Sequence, residues 1–288
     1  METLPKIDRY EFEVNMTTVD KLHRMPPSAL CNMILSADGK QLVAVAPTVA
    51  GAFSSENLGG LVVSVVGNGA FSHNTKLTSI ALENVTEVGD YAFASNKYLT
   101  SIKLGNLEKI GEYAFFETGI TTLPNFTVDT EIGRYAFAYS QITSVTIPDN
   151  MVVPEGLFAE CNKLTTVVVG NDVTLGKFAF ATNKDECYTV KNYNEGKEKY
   201  FYYDFATALK NVTIGNNVTI GDHAFAYAAS LEKVALGENA IIGKQAFYNC
   251  QRLKEIDLSK AVSIGEYAFS GDVYNICLDD SMQYAAVS

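Results

Sequence analysis

The sequence predicts a mainly β solenoid, in which about ten short coils stack in a right-handed superhelix with their strands in parallel. The prediction rests on two phrases that recur with a period of 22 residues. The first is apolar-Gly-x-x-Ala-Phe, and its copies end at Phe71, Phe93, Phe115, Phe137, Phe180, Phe225, Phe247 and Phe269. The second is L-x-x-I-x-L, and its copies begin at Leu77, Leu99, Ile142, Leu164, Leu209, Leu231 and Leu253.

Each position of the repeat has a physical reason. The I-x-L segment alternates as a half-buried strand does. The glycine permits either a turn with positive φ or a close approach of two backbones. The alanine fits a crowded corner, and the phenylalanine fills the coil interior. We therefore expect an apolar spine of stacked phenylalanines that also includes Phe53 in TVAGAF, Phe158 in VPEGLF and Phe205.

Three segments of the chain follow from this pattern. Residues 1–47 lack the repeat and are predicted to form an N-terminal cap, whose NMILSADGKQLVAVAP segment is a hairpin with Asp38-Gly39 at the turn. Residues 48–278 form the repeat array and end in a strand at Tyr274–Leu278, and residues 279–288 form a C-terminal tail.

One interval departs from the period. Phe180 and Phe225 are 45 residues apart, which predicts an additional irregular coil at residues 183–205. In this coil YFYYDF at 200–205 aligns with the first phrase, and CYTVKN at 187–192 aligns with the second. Either the coil bulges and packs its own tyrosines, or it binds a ligand, as irregular repeats often do. The tyrosines concerned are Tyr188, Tyr193, Tyr200, Tyr202 and Tyr203.

The residues that flank the central Ile of each L-x-x-I-x-L phrase are expected to face solvent. This face is mostly small and hydroxylic and has no aromatic anchor, whereas protein-binding hot spots favour Trp, Tyr and Arg. It therefore predicts weak or multivalent binding, or binding elsewhere. The pairs include Ser79/Ala81, Thr122/Pro124 and Asn211/Thr213, and the candidate ligand-binding residues are Ser101, Lys103, Ser144, Thr146, Thr166, Lys233, Glu255 and Asp257.

The composition excludes several classes of function. The net charge of −11 argues against a nucleic-acid partner, and no stretch has the length and apolarity of a membrane span. The five cysteines have no metal-type spacing, and Cys161 and Cys250 occupy one repeat position as buried structural thiols. The three histidines, of which His223 fills a variable repeat position, belong to no catalytic motif. We expect no enzyme activity, metal or cofactor.

The two phrases at 22-residue spacing resemble the BspA-like, or Treponema-type, leucine-rich-repeat family over about residues 48–278. The resemblance implies a leucine-rich-repeat solenoid in a secreted or cell-surface bacterial protein that adheres to matrix proteins or other cells. It also implies that a signal or lipoprotein anchor has been removed from this chain.

Two functional hypotheses follow. In the first, the chain is a non-catalytic, monomeric recognition module for a protein or a glycan. In the second, it is a rigid spacer that displays another domain.

Overall fold

The computed structural model describes residues 33–59, 61–182, 188–192, 197–201 and 207–271. It confirms a solenoid of stacked parallel strands with almost no helix. Two short 3-10 helices lie at Ser55–Leu58 and Leu258–Lys260. The strands are β1 Met33–Leu35, β2 Gln41–Val45, β3 Gly51–Ser54, β4 Val65–Val66, β5 Leu77–Leu82, β6 Glu87–Val88, β7 Ser101–Leu104, β8 Leu107–Ile110, β9 Phe126–Ile132, β10 Ser144–Ile147, β11 Val152–Val153, β12 Thr166–Val169, β13 Thr174–Leu175, β14 Tyr188–Asn192, β15 Lys197–Phe201, β16 Asn211–Ile214, β17 Thr219–Ile220, β18 Lys233–Ala235, β19 Ala240–Ile242, β20 Glu255–Ile256 and β21 Ala261–Ile264.

Each repeated phrase contributes to one side of the solenoid. The L-x-x-I-x-L strands form the front sheet, in the order β3-β5-β7 and then β10-β12-β16-β18-β20. The short strands before the repeat glycines form the back sheet, in the order β1-β2-β4-β6-β8-β9 and then β11-β13-β17-β19-β21. The pairing within each array of repeat strands is parallel, as a stack of coils requires. Both sheets are interrupted in the middle of the chain.

The turn that carries each Ala-Phe pair forms a corner between the two sheets. At this corner every coil donates backbone N–H groups to carbonyls of the next coil. The bonds from Tyr91, Phe93 and Ser95 to the coil of Phe115 measure 2.9, 2.8 and 2.8 Å. The same bonds recur in every coil from Gly69 onward, so this corner ladder crosses the interruption that breaks both sheets.

The repeat glycine serves close approach and not positive φ. A Cβ at Gly176 would lie 2.6 Å from the Val153 carbonyl oxygen of the preceding coil. The left-handed conformation falls instead two residues later, on Tyr91, Tyr113 and Tyr135, with φ of 55, 54 and 55°. This conformation costs a non-glycine residue ~1–2 kcal/mol, which the inter-coil hydrogen bonds and the packing of these rings offset.

The phenylalanine spine is confirmed for its main run. The rings of neighbouring coils stack almost in parallel, with centroids 5.1 Å apart for Phe71–Phe93 and 5.3 Å apart for Phe225–Phe247. Phe53 was assigned to the wrong phrase: it lies in β3, opposite Ile80 of the front sheet. It is nonetheless buried, and it meets Phe71 edge-on. The spine therefore begins at Phe71.

In several coils the third residue after the spine phenylalanine is a buried hydrogen-bond donor, whereas Ala228 stands at this position after Phe225. The Asn96 amide donates to the carbonyl of Phe71 in the preceding coil at 2.9 Å. The thiols of Cys161 and Cys250 donate to the Phe137 and Phe225 carbonyls, each at 3.2 Å. Both thiols are buried, as predicted. The remaining cysteines, Cys31, Cys187 and Cys277, lie outside the described residues.

The prediction of an additional irregular coil at residues 183–205 is wrong. β12 pairs directly with β16, β13 pairs with β17, and Phe180 stacks on Phe225 at 5.1 Å. The interval of 45 residues is therefore one coil of 22 with 23 additional residues. Within them β14 and β15 pair with each other in antiparallel fashion. The stack has about nine turns rather than ten, and Phe205 lies outside the described residues.

The described part of the N-terminal segment contains an antiparallel hairpin of β1 and β2. Gly39 has a φ of 71° in its turn, and the Ser36 hydroxyl donates to Asp38. β2 continues the back sheet by pairing in parallel with β4. The hairpin thus occupies the edge that the first repeat strand would otherwise expose. The predicted tail strand Tyr274–Leu278 lies outside the described residues.

Gly156 offers a test of the corner packing. Its φ is 61°, and a Cβ there would enter the ring of Tyr135. We expect Gly156→Ala to lower the free energy of unfolding by ~2–4 kcal/mol, because overpacking adds to backbone strain. Gly69→Ala is the matched control, since its φ is 62° but its nearest neighbour would be the Ser72 hydroxyl at 3.6 Å. Denaturant unfolding of both variants measures the difference, and equal losses would contradict this account.

Burial raises the pKa of the Cys161 thiol to about 12. Because the unfolded chain loses this proton at ~8.5, stability should fall as the pH rises from about 9 to about 12. The difference in unfolding free energy between the native chain and Cys161→Ser should shrink over that window. Alkylation at about pH 8 followed by peptide mapping should leave Cys161 unmodified until the protein is denatured. Rapid alkylation of Cys161 in the folded protein would refute the burial of its thiol.

Candidate functional site

The front sheet presents the predicted alternation. Ser101, Lys103, Ser144, Thr146, Thr166, Lys233, Glu255 and Asp257 are all exposed. The central residues of the strands, such as Val145 and Val167, are buried. The pairing of β10 with β12 brings Ser144 opposite Thr166, and that of β18 with β20 brings Lys233 opposite Glu255. These side chains therefore form columns along the solenoid.

Both lysines of this face form ion pairs. Lys103 Nζ lies 2.5 Å from Glu83 Oε1, and Lys233 Nζ lies 2.8 Å from Glu255 Oε2. The Lys233 hydrogen bond and charge lower the pKa of Glu255, and a hydrogen bond from Ser259 lowers the pKa of Asp257. Such pairs neutralise the face, so its electrostatic attraction for a ligand is small.

One coil departs from the front-face prediction. Pro124 was expected to face solvent, but it is buried, and no strand forms between residues 119 and 125. A proline has no N–H to donate to a neighbouring strand. The chain turns here, so the alternation of a strand does not apply. Thr122 is exposed as predicted.

The structure also shows an aromatic surface that the sequence patterns did not indicate. A second apolar cluster lies along the corner, separate from the core, and contains Tyr113, Phe116, Tyr135 and Phe178. Four tyrosines that border this cluster are at least partly exposed, and we call them the corner edge: Tyr91, Tyr139, Tyr227 and Tyr248. They were overlooked because they stand in variable positions of the repeat. The signal that could have found them is the frequent aromatic residue one position before, or one or two positions after, the Ala-Phe pair.

Ring contacts order this surface. Tyr91, Tyr113 and Tyr135 stack face to face, with centroids 5.0 and 5.3 Å apart. Phe178 stacks on His223, with ring centroids 4.9 Å apart. This contact gives the imidazole a structural role at the repeat position that tyrosine fills in other coils. The Tyr135 hydroxyl donates to Glu155 Oε1 at 3.0 Å, and its pKa is raised by burial and by that carboxylate. A raised pKa keeps the hydroxyl protonated, which suits a structural hydrogen bond.

The 23-residue insertion leaves the stack at the same corner. Thr182, which directly precedes the insertion, donates through its hydroxyl to the Tyr227 carbonyl at 2.6 Å. On the other side, the Thr207 hydroxyl accepts from the Ser230 N–H at 3.3 Å. Both ends of the insertion are thus anchored beside the corner edge, one coil from Tyr227.

The predicted tyrosines of this segment are only partly placed. Tyr188 is in β14 opposite Phe201, and Tyr200 is in β15 opposite Thr189. Tyr193, Tyr202 and Tyr203 lie outside the described residues. An antiparallel pair of strands replaces the bulged coil, and whether it binds a ligand stays a prediction.

One small space between the coils has a volume of about 10 Å³, room for one water molecule, and it is lined by Cys161, Thr182 and Thr207 among others. No group of three or more His, Cys, Asp or Glu side chains within the described ranges could hold a metal ion. None of the helices in those ranges is long and apolar enough to cross a bilayer.

A family model described as BspA type leucine rich repeat region matches residues 61–129, 130–241 and 194–285. These ranges cover well over half of the 288 residues. The chain belongs to the BspA-type leucine-rich-repeat family. This confirms the resemblance that the two phrases indicated. No curated protein matched the sequence.

Several solved structures of bacterial repeat proteins are similar over most of their length. A leucine-rich repeat protein from Bacteroides ovatus has 20 % identity, with 83 % of each chain covered and a TM-score of 0.38. A leucine rich cell surface protein from Faecalibacterium prausnitzii has 16 % identity, covers 88 % of this chain and 95 % of that chain, and has a TM-score of 0.38. The pneumococcal vaccine antigen PcpA has 16 % identity, covers 84 % of this chain and 78 % of that chain, and has a TM-score of 0.30.

The exposed ion pairs of the front face should contribute little to stability. We expect Lys103→Ala to shift the melting temperature by less than ~2 °C, because both partners are solvated. Phe115→Ala, which empties part of the spine, should instead lower the free energy of unfolding by ~3–5 kcal/mol. Thermal and denaturant unfolding check both values. A large loss in Lys103→Ala would show that the front-face pairs hold the coils together.

Proposed function

We propose that this chain is a non-catalytic recognition module of a bacterial cell surface, which binds a protein ligand through its insertion and the adjoining corner edge. The observation that carries the proposal is the insertion of 23 residues into a stack that is complete without it. The coils on either side pair strand to strand, and their spine rings are 5.1 Å apart. A segment that the stack does not need is the part of the chain free to serve a partner.

The surface favours a macromolecule over a small ligand. Small molecules bind in concave pockets of several hundred Å³, whereas the space lined by Cys161 and Thr182 has room for about one water molecule. The corner edge supplies Tyr139, which is 37 % exposed, and tyrosine is among the residues that most often dominate protein interfaces. The front sheet lacks such anchors, and its lysines Lys103 and Lys233 are paired with carboxylates.

Protein is favoured over glycan by the orientation of the rings. Sugars stack on the open face of an aromatic ring, whereas the faces of Tyr91, Tyr113 and Tyr135 are directed at each other. Tyr227 and Tyr248 pack edge to face, at 72°. These contacts occupy ring faces that a sugar would need, and the hydroxyls of partly exposed tyrosines suit a surface that donates and accepts hydrogen bonds.

The continuous core supports the second candidate function, a rigid spacer. The spine from Phe71 to Phe269 and the corner ladder run through the whole array without a gap. Ion pairs such as Lys109–Glu131 and Lys244–Glu266 add links between adjacent coils. A stack of this kind keeps its two ends apart, by a length that the number of coils sets, whether or not it binds a ligand.

Removal of the insertion separates the two functions. Replacing residues 183–206 with a single asparagine restores a coil of 22 residues and places an amide where Asn96 stands in an earlier coil. We expect this variant to fold with a melting temperature close to that of the native chain, because no repeat strand is lost. We also expect it to lose saturable binding to a panel of immobilised collagen, laminin and fibronectin, measured beside a glycan array.

Two variants assign the result. Tyr139→Ser with Tyr227→Ser should weaken the same binding, whereas Ser144→Ala with Thr166→Ala, on the front sheet, should leave it unchanged. Binding that survives removal of the insertion but is lost in the front-sheet variant would overturn the proposed site. Binding to glycans alone would overturn the protein ligand. If the folded native chain binds nothing at high micromolar concentration, the spacer becomes the better account.

A further inference from the structure

Prolines in the repeat array are confined to one place. After residue 60 the sequence has three prolines, Pro124, Pro148 and Pro154, and all of them lie within two successive coils. The same region is where both sheets are interrupted: β9 ends one part of the back sheet and β11 begins the next, and β7 and β10 do the same for the front sheet. Proline has no backbone N–H, so this coincidence has a direct physical cause.

Two of the prolines replace glycines that link coils elsewhere. The glycine at the end of the back strand donates to the preceding coil, as Gly133 does to Ile110 and Gly176 does to Val153, at 2.7 and 2.8 Å. Pro154 stands in this position and cannot donate to the coil before it. The glycine at the end of the front strand behaves in the same way, as Gly170 does to Ile147 at 2.9 Å. Pro148 stands in that position.

The coil on the other side of the junction is also unable to pair. Pro124 takes the place that Lys103 and Thr146 hold in β7 and β10, and this coil has no front strand. Its back strand β9 bulges: Leu107 pairs with Phe126, but Lys109 pairs with Glu131. Between these two coils, the front side keeps one backbone bond, from Thr143 N–H to the Thr121 carbonyl, at 3.3 Å.

The corner keeps all of its connections across this junction. Tyr135, Phe137 and Tyr139 donate their N–H groups to the Glu155, Leu157 and Ala159 carbonyls at 2.9, 3.1 and 2.8 Å. The Tyr135 hydroxyl donates across it to Glu155, and the Cys161 thiol contacts the Phe137 carbonyl and the Ser140 hydroxyl. The spine rings of Phe137 and Phe158 are 5.7 Å apart, the widest spacing in the run from Phe71 to Phe269.

We propose that this junction, between the coils of Phe137 and Phe158, is a hinge that divides the solenoid into two rigid halves. The halves comprise about residues 33–141 and 142–271 among those described. The corner ladder is the axis of the hinge, and the front and back sheets open and close on either side of it. In a stack of coils the stability of each contact depends on its nearest neighbours, so the contact with fewest sheet bonds moves first.

Distance measurements between spin labels test the hinge. In a background without native cysteines, Ser101→Cys with Asn211→Cys places labels on the front sheet four coils apart, across the junction. Ser144→Cys with Glu255→Cys places them four coils apart within the C-terminal half, at the same nominal separation of ~19 Å. We expect a distance distribution at least twice as wide for the first pair as for the second.

A third pair and a repair variant distinguish a hinge from general loosening. Ser95→Cys with Thr182→Cys spans the junction along the corner, and its distribution should stay narrow. Pro148→Gly with Pro154→Gly restores both glycines and should narrow the distribution of the Ser101/Asn211 pair. Equal widths for the two front-sheet pairs would overturn the proposal even if the repair variant failed to fold. A corner pair as wide as the front pair would replace the hinge with a loose joint.

Discussion

The corner ladder is the interaction on which the rest of the structure depends. It is the backbone hydrogen bonding between coils that continues through all of the described repeats, including the junction at which both sheets stop. Its geometry requires a left-handed residue two positions before each spine phenylalanine, and that residue is most often a tyrosine. The alanine between them is fully buried in every coil that has it, because the next backbone lies directly against it. The residues of the Gly-x-x-Ala-Phe phrase are thus those that this hydrogen-bonded turn requires.

The ladder also fixes where the chain can grow. A single residue added inside a strand would move the later side chains of that strand from one face of the sheet to the other. A segment added after the corner, between Thr182 and Thr207, leaves the strands on both sides in register, and β12 still pairs with β16. Buried side-chain donors such as Asn96 add bonds to this corner in several coils. They are not needed in every coil, since Ala228 has no such donor and the backbone bonds of the corner remain.

The fold could be predicted from the sequence because the constant period of the repeat shows which residues of successive coils lie opposite one another. The phrases located the strands, the spine and the exposed columns of the front sheet with few errors. The errors arose where a pattern had two physical solutions. Forty-five residues fit two coils or one coil with a hairpin, and TVAGAF at Phe53 fits either phrase. The corner edge could be predicted only in part: aromatic residues recur around the Ala-Phe pair, but whether Tyr139 and Tyr227 meet one surface depends on how the chain winds through each turn.

The hinge and the insertion are compatible because both are built on the corner. A rotation about the corner ladder changes distances on the front sheet, such as that between Thr122 and Ser144, far more than distances beside the axis. Tyr139 lies on one side of the junction and Tyr227 on the other, yet both border the axis. A partner held by the insertion and these tyrosines would therefore keep its contacts while the two halves change their angle. A partner spread over the front sheet would be released or strained by the same motion, which is a further physical reason to place recognition at the corner.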